Sequence, residues 1–361
     1  MSTENSQTTT ERGRIRVTGF DADRVESRET LSSWEPEMQS EAGRGRLELA
    51  WERFKRNRLA LFGGALIGVM VFLAVFARPI QLPAGIPVLA DRTVQPFALA
   101  PAVPSAQDIS LGHQPPTVEF LLSWPPSGFH LFGTDWAGRD ILSRVMYGGR
   151  WSLSIGFIAV SVALLVGVPL GSVAGYYGGV VDEVIMRLVD MLYAFPFIVL
   201  AIAVITILGR GYWELVLALV AVGWLPYARI IRGEILSVKE NEYVTAAKAL
   251  GSTDRSIIVK HILPNAMAPV IVQATLSIGT TVLAAAALGF IGLGLSPASA
   301  EWGVMLNVEQ DSMARGRWWA GLFPGLAIFV FVMAINLVGD GVRDAFDPQG
   351  DSSDAGDGGL H

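Results

Sequence analysis

The 361-residue chain has no cysteine, only four histidines and only four lysines. The absence of cysteine excludes disulfides, thiolate metal sites and cysteine nucleophiles together. The lysines are Lys55, Lys239, Lys248 and Lys260, and none follows a glycine, so a Walker A phosphate loop is excluded. His113, His130, His261 and His361 lie far apart and form no HExxH pair. Charged residues make up 17% of the chain, against roughly 25% in average soluble proteins. With Lys+Arg 27 and Asp+Glu 33 the net charge is −6, so no nucleic-acid partner is expected. Hydrophobic residues, by contrast, reach 51%, and they are concentrated in blocks.

Residues 1–48 are polar and without apolar periodicity. No apolar core follows a short basic start, so this stretch reads as a cytoplasmic N-terminal tail and not as a signal peptide. Leu59 to Ala77 is then free of charge, a length of about 28 Å as a helix, which matches a bilayer core. Arg53, Lys55, Arg56 and Arg58 precede it and place its N-terminus in the cytoplasm. Residues 49–148 thus comprise a first transmembrane helix and a proline-rich extracytoplasmic segment. Further apolar blocks at 153–174, 190–208, 213–231, 267–293 and 319–338 fill a transmembrane region over 149–340. A cytoplasmic tail, 341–361, completes the chain. The expected fold is all-α, a polytopic membrane protein with six transmembrane helices and both termini inside. The near-membrane segments assigned to the cytoplasm hold 14 Lys and Arg against eight outside, a bias of the expected sign. Ionisable residues sit only at span ends (Asp190, Glu214, Arg229, Asp340), which argues against a proton relay or an ion-coupled pump.

Two patterns within this frame carry information. Gly167, Gly171, Gly175 and Gly179 recur every four residues on the second span, a small-residue face that lets helix backbones approach closely in lipid. Helix packing is the ordinary reading of that face and pore lining the alternative. Between the fourth and fifth spans runs ENEYVTAAKALGSTDRSIIVKHILPNA, too long and too amphipathic for a linker. Asn241 is placed to cap a short helix containing Glu242, Ala246 and Ala247, which Gly251 ends with a left-handed backbone. Thr253 is placed to cap a second helix, which Pro264 closes by disfavouring helical geometry at Leu263. The result is a two-helix cytoplasmic knob, either passive or shaped for docking into a groove of another protein. In GTDWAGRD, Asp135, Arg139 and Asp140 are placed to pair with one another and fix the entry of the second span, or to touch a delivery protein.

NEYVTAAKALGSTDRSIIVKHILP resembles the EAA loop of ATP-binding-cassette importer permeases. FGTDWAGRDILSRVMYGGRWSLSIG, GYYGGVVDEVIMRLVDMLYAFPFIVLAIA, LGFIGLGLSP, EWGVML and NLVGDGVRDAFDP are similar to the second-permease type of the dipeptide, oligopeptide and nickel family. The similar stretches run in order from about residue 45 to 348. Thr245 stands where many members carry the glutamate that names the loop, and Ala284–Ala287 where many oligopeptide-type members carry another.

The resemblance implies a permease subunit of an ATP-driven importer for peptides or a related small solute, nickel included, in the cell membrane. It implies as partners a second permease, two ATPase subunits, an extracytoplasmic substrate-binding protein and membrane lipid. It further implies that the loop 241–264, with Glu242, Ala246, Ala247, Gly251, His261, Leu263 and Pro264, couples the ATPase to the pore. The chain itself would bind no cofactor, ATP being used by its partners, and would do no chemistry on the solute, so it is not an enzyme. The rivals are a membrane enzyme, for which the spans lack a nucleophile–base or metal pair, and a secondary transporter or channel working without ATPase subunits.

Overall fold

The computed structural model describes residues 46–77, 105, 107–116 and 130–346. The expected tails and much of the extracytoplasmic segment lie outside these residues. The chain divides into Met1–Leu49 and Ala50–His361. Of the first unit only Arg46–Leu49 are described, as the opening of helix α1 (Arg46–Arg56). Among the described residues the elements are helices, with a single isolated bridge between Thr134 and Asp140.

The first span, α2 (Arg58–Phe76), starts at Asn57, whose side-chain oxygen accepts from the Leu59 and Ala60 amides. The Asn57 amide group donates to Asp344 at 3.1 Å and so ties this span to the end of the last one. The second span, α3 (Ile141–Tyr177), runs for 37 residues, about 55 Å. It begins twelve residues before the apolar block at 153, because Arg144 and Arg150 end a run of hydropathy without ending a helix. Asp140 caps it, accepting from the Ser143 amide at 2.7 Å.

The third span is not continuous. It consists of α4 (Gly179–Tyr193) and α5 (Phe197–Leu208), bent by 93° across three residues. Pro196 supplies the reason: it has no N–H to donate and disfavours helical geometry at Phe195. The twelve residues of α5 reach only about 18 Å, short of a bilayer core of about 30 Å. The fourth span combines α6 (Tyr212–Gly223) and α7 (Leu225–Val238), with Pro226 tolerated in the first turn of α7.

After α8 (Glu242–Ala249), α9 (Asp254–Phe290) forms the fifth span. The short helices α10 (Trp302–Val308) and α11 (Gln310–Ala314) precede the last, α12 (Trp319–Phe346). Among the described residues five helices are thus long and apolar enough to cross a membrane, and the bent pair brings the number to six where it is taken as one span.

Packing follows the small residues. α3 lies along α7, α2 along α12, and α9 between α12 and α3. One apolar cluster joins α3, α7, the base of α9 and α8 through Val160, Leu225, Ile231, Val244, Ile257 and Ile262. A second gathers Ile141, Trp302 and Phe331, and a third Ile155, Ile205, Leu215 and Leu288. Leu61, Phe62, Val69 and Phe72 on α2 stay exposed, as a lipid-facing surface requires.

Candidate functional site

The loop after α7 folds into a compact knob. Asn241 and Thr253 occupy the N-cap positions with extended backbone, but neither side chain makes a capping hydrogen bond. Gly251 has a φ of 81°, the left-handed region where a Cβ is strained. The second helix differs from expectation. Pro264 does not close it: Asp254–Ser256 runs through a π-helical stretch, Ile257–Ile262, directly into the α-helical Leu263–Phe290. Pro264 falls in the first turn of that last stretch, where its missing N–H is tolerated, and the widened turn before it absorbs the ring. The knob is therefore rigidly continuous with the fifth span.

The alanines also divide differently. Ala247 is buried with Val244 against the core and serves as an anchor, whereas Glu242 and Ala246 are exposed. Helical spacing explains this, since residues three apart share a face and the outward face must alternate with it. His261 and Leu263 are half-buried, Pro264 is exposed, and the His261 carbonyl accepts from the Asn265 side chain at 2.6 Å. The sequence reading missed Leu250, 86% exposed at the tip, whose signal is an apolar residue directly before the helix-ending glycine. Three contacts tie the knob and its approach to the end of α3. Tyr176 donates to Asp254 at 2.7 Å, Lys248 lies 5.1 Å over the Tyr176 ring, and Lys239 donates to the Gly175 carbonyl at 3.1 Å.

Gly167, Gly171 and Gly175 face α7. A Cβ at each would lie 2.5 Å from the Trp224 carbonyl oxygen, 2.2 Å from that of Ala228 and 3.0 Å from that of Arg232. At Gly167 and Gly171 no side chain larger than hydrogen fits without moving a backbone, and at Gly175 a Cβ would be tightly pressed.

Above that contact a cavity of about 550 Å³ opens between the second, third, fourth and fifth spans. The bent segment contributes Tyr193, Phe195 and Phe197, α7 contributes Pro226 and Tyr227, and α9 contributes Gln273, Ser277, Thr280, Thr281 and Ala284. Gln273, Ser277, Thr280 and Thr281 recur at intervals of three and four and so form a polar stripe on the membrane-spanning part of α9. Gln273 donates to Ser277 at 3.0 Å. No lining side chain is charged. The sequence reading singled out none of these residues: their signal is polar side chains at helical spacing, and only the surrounding helices reveal that they face a cavity and not a neighbour.

On the opposite side, GTDWAGRD folds into a buried network. Asp135 accepts from Arg139 Nε at 2.6 Å and from the Ala137 and Arg139 amides. Asp140 does not pair with Arg139; it caps α3 and bonds His130 Nδ1 at 2.9 Å. Glu309 accepts from the Trp136 amide at 3.0 Å, joining this turn to the end of α10. Among the described residues, no buried side-chain nitrogen or oxygen lacks a partner.

Glu301 is fully buried and caps α10, accepting from Ser152 Oγ and from the Gly303 and Val304 amides, while Ser152 Oγ accepts from the Trp302 amide. Burial pushes its carboxyl above the usual range, opposed by the hydrogen bonds from Gly303, Val304 and Ser152. Glu301→Ala would leave those amides without an acceptor, at about 1–3 kcal/mol for each buried group. The expected result is a clearly lower thermal unfolding midpoint in detergent, with Glu301→Gln losing less. A carboxyl raised on folding contributes stability below its unfolded pKa and loses it as pH rises through the folded value. The advantage of wild type over Glu301→Gln should therefore shrink as pH rises.

Comparison with known proteins accords with this architecture. Residues 167–349 match the family described as the binding-protein-dependent transport system inner membrane component. Residues 45–116 match the N-terminal TM domain of oligopeptide transport permease C. The dipeptide transport system permease protein DppC of Alkalihalophilus pseudofirmus is 41% identical over 300 residues, 83% of this chain and 89% of that one. The di/tripeptide permease protein DppC of Pseudomonas aeruginosa is 40% identical over 301 residues, 83% of this chain and 91% of that one. The glutathione permease protein GsiD of Escherichia coli is 38% identical over 299 residues, 83% and 89% of the two chains. Five membrane-length helices with a bent pair beside them, a knob continuous with a span and these matches lead to one assignment: the chain belongs to the binding-protein-dependent permease family, as a multi-pass transport component of the cell membrane and not an enzyme.

Proposed function

We propose that this chain forms half of the translocation path of an ATP-driven importer of short peptides, and that the Glu242–Pro264 knob couples it to the ATPase. The partners on this reading are a second permease, two ATPase subunits and an extracytoplasmic substrate-binding protein. The named relatives, permeases for dipeptides, di/tripeptides and glutathione, support the peptide class. The single observation that carries the reading is the cavity. At about 550 Å³ it lies within the roughly 300–1,000 Å³ of small-ligand sites. Its uncharged polar stripe suits a backbone amide without favouring one side-chain charge.

The mechanism follows from what the knob is joined to. Its second helix is the start of the fifth span, so a push on the knob is carried along α9 to the stripe. Its contacts with Tyr176 carry the same push to the end of α3, next to the turn that leads into α4. Knob, stripe and bent third span then move together, and the ATPase cycle alternates the cavity between the two sides.

Ser277→Trp tests the path. In the complete complex reconstituted in vesicles, uptake of a labelled dipeptide should fall by at least an order of magnitude while assembly and ATP hydrolysis persist. Unchanged uptake in an assembled Ser277→Trp complex would place the path elsewhere.

A further inference from the structure

The helix α4 is held unlike any other span. Of its fifteen residues only Val189 is buried, while Val180, Val184, Leu188 and Met191 are exposed. Val189 enters the core shared with α7, Met186 and Leu192 pack against that core, and two ion pairs, Asp182 with Arg232 and Asp190 with Arg229, join α4 to α7 directly. The second pair sits at the bend. Arg229 donates to Asp190 at 2.6 Å, and its guanidinium lies 4.4 Å from the centre of the Tyr193 ring, the last helical residue before the break. Tyr193 in turn lines the cavity with Phe195 and Phe197. Arg229 and Asp190 are 51% and 61% exposed. An ion pair so exposed adds little by itself, but the stack of Arg229 on Tyr193 adds to it, and both act on the ring at the start of the bend.

We propose that Arg229 is the positioning residue of a gate: clasped by Asp190 and stacked on Tyr193, it holds the bent third span so that Tyr193, Phe195 and Phe197 close the cavity. This rests on the cavity being the translocation path. Three observations converge on it. The bend is sharp and confined to Ala194–Pro196, so the rings' position depends on how the end of α4 is held. The apolar hold on α4 is confined to Met186, Val189 and Leu192, a narrower seam than those of the long spans, as expected of an element that moves more readily than they do. Gly178 and Gly179, both at positive φ with open space where a Cβ would stand, form the other end of α4 beside the tyrosine that contacts the knob. A displacement of the knob thus reaches α4 at one end, and the clasp restrains it at the other.

The test measures leak. Arg229→Gln and Asp190→Asn complexes, each with both ATPases and the second permease, are placed in vesicles and labelled dipeptide entry is followed without ATP. Arg229→Gln should raise that passive entry by an order of magnitude or more, since it removes both clasp and stack, and Asp190→Asn by less, since the stack remains. Transport per ATP hydrolysed should fall in both, a readout that general destabilisation does not produce. Should Arg229→Gln fail to assemble, Asp190→Asn alone decides. Wild-type leak in an assembled variant overturns the proposal, and so does loss of transport without leak. If Ser277→Trp blocks uptake while neither clasp variant leaks, the path stands and the gate falls. If Ser277→Trp leaves uptake intact, the path itself is wrong.

Discussion

Gly171→Leu is expected to abolish assembly of the folded chain. The Cβ alone would stand 2.2 Å from the Ala228 carbonyl oxygen and 2.5 Å from Ile231 Cγ2. Both neighbours belong to α7, in its helical interior, so neither can yield without displacing the whole helix. Gly167 and Gly175 meet the same helix at the Trp224 and Arg232 carbonyls, so a shift at 171 propagates along the seam. Overpacking a core commonly costs about 1–3 kcal/mol, and contact with backbone oxygen places this substitution at the upper end. The measurement is the yield of monodisperse complex after solubilisation, with membrane insertion followed separately. Leu165→Ala, at a side chain 75% exposed, is the control and should leave the yield unchanged. Full yield of Gly171→Leu would show that the α3–α7 contact does not hold the complex together.

The second large effect is expected at the knob, where two substitutions separate shape from surface. A Cβ at Gly251 meets no atom within 4 Å, so the effect of Gly251→Val comes chiefly from forcing a β-branched residue to a φ of 81°. Such backbone strain costs about 1–3 kcal/mol, and it falls on the turn that sets the angle between α8 and the start of α9. Leu250→Asp leaves the backbone alone and places a charge on the exposed tip. Both chains should insert normally, because neither residue is buried. ATPase co-purification should drop sharply for Leu250→Asp, and ATP-driven uptake should fall by an order of magnitude for both. Normal co-purification and uptake in both variants would reduce the knob to a passive loop.

Gly171 and Gly251 are both legible in the sequence, whereas Leu250 is not, and the reason is physical. A span is recognisable because every turn of a lipid-facing helix must be apolar, so the signal accumulates over about twenty residues. A glycine at four-residue spacing, or one ending a short helix, is likewise a local constraint written at its own position. The family resemblance implied a coupling role for the knob in the same way, from a contiguous run of residues.

What the tertiary structure alone decided are relations between distant residues. Hydropathy marked the third span but could not say that it is bent by 93°, because a proline in an apolar run is equally compatible with a mild kink. Pro264 looked like a helix end until the π-helical stretch before it made room for the ring. Ala246 and Ala247 are identical and adjacent, yet one faces solvent and the other the core, since that choice depends on where Ile257 and Ile262 pack. Gln273, Ser277 and Thr281 were three polar residues among many until four helices enclosed the space in front of them. Arg229 and Asp190 lie 39 positions apart, each legible in the sequence only as a charge at a span end. Only the crossing of α4 over α7 brings them together beside Tyr193, because an ion pair is a property of two positions in space and neither residue carries it alone.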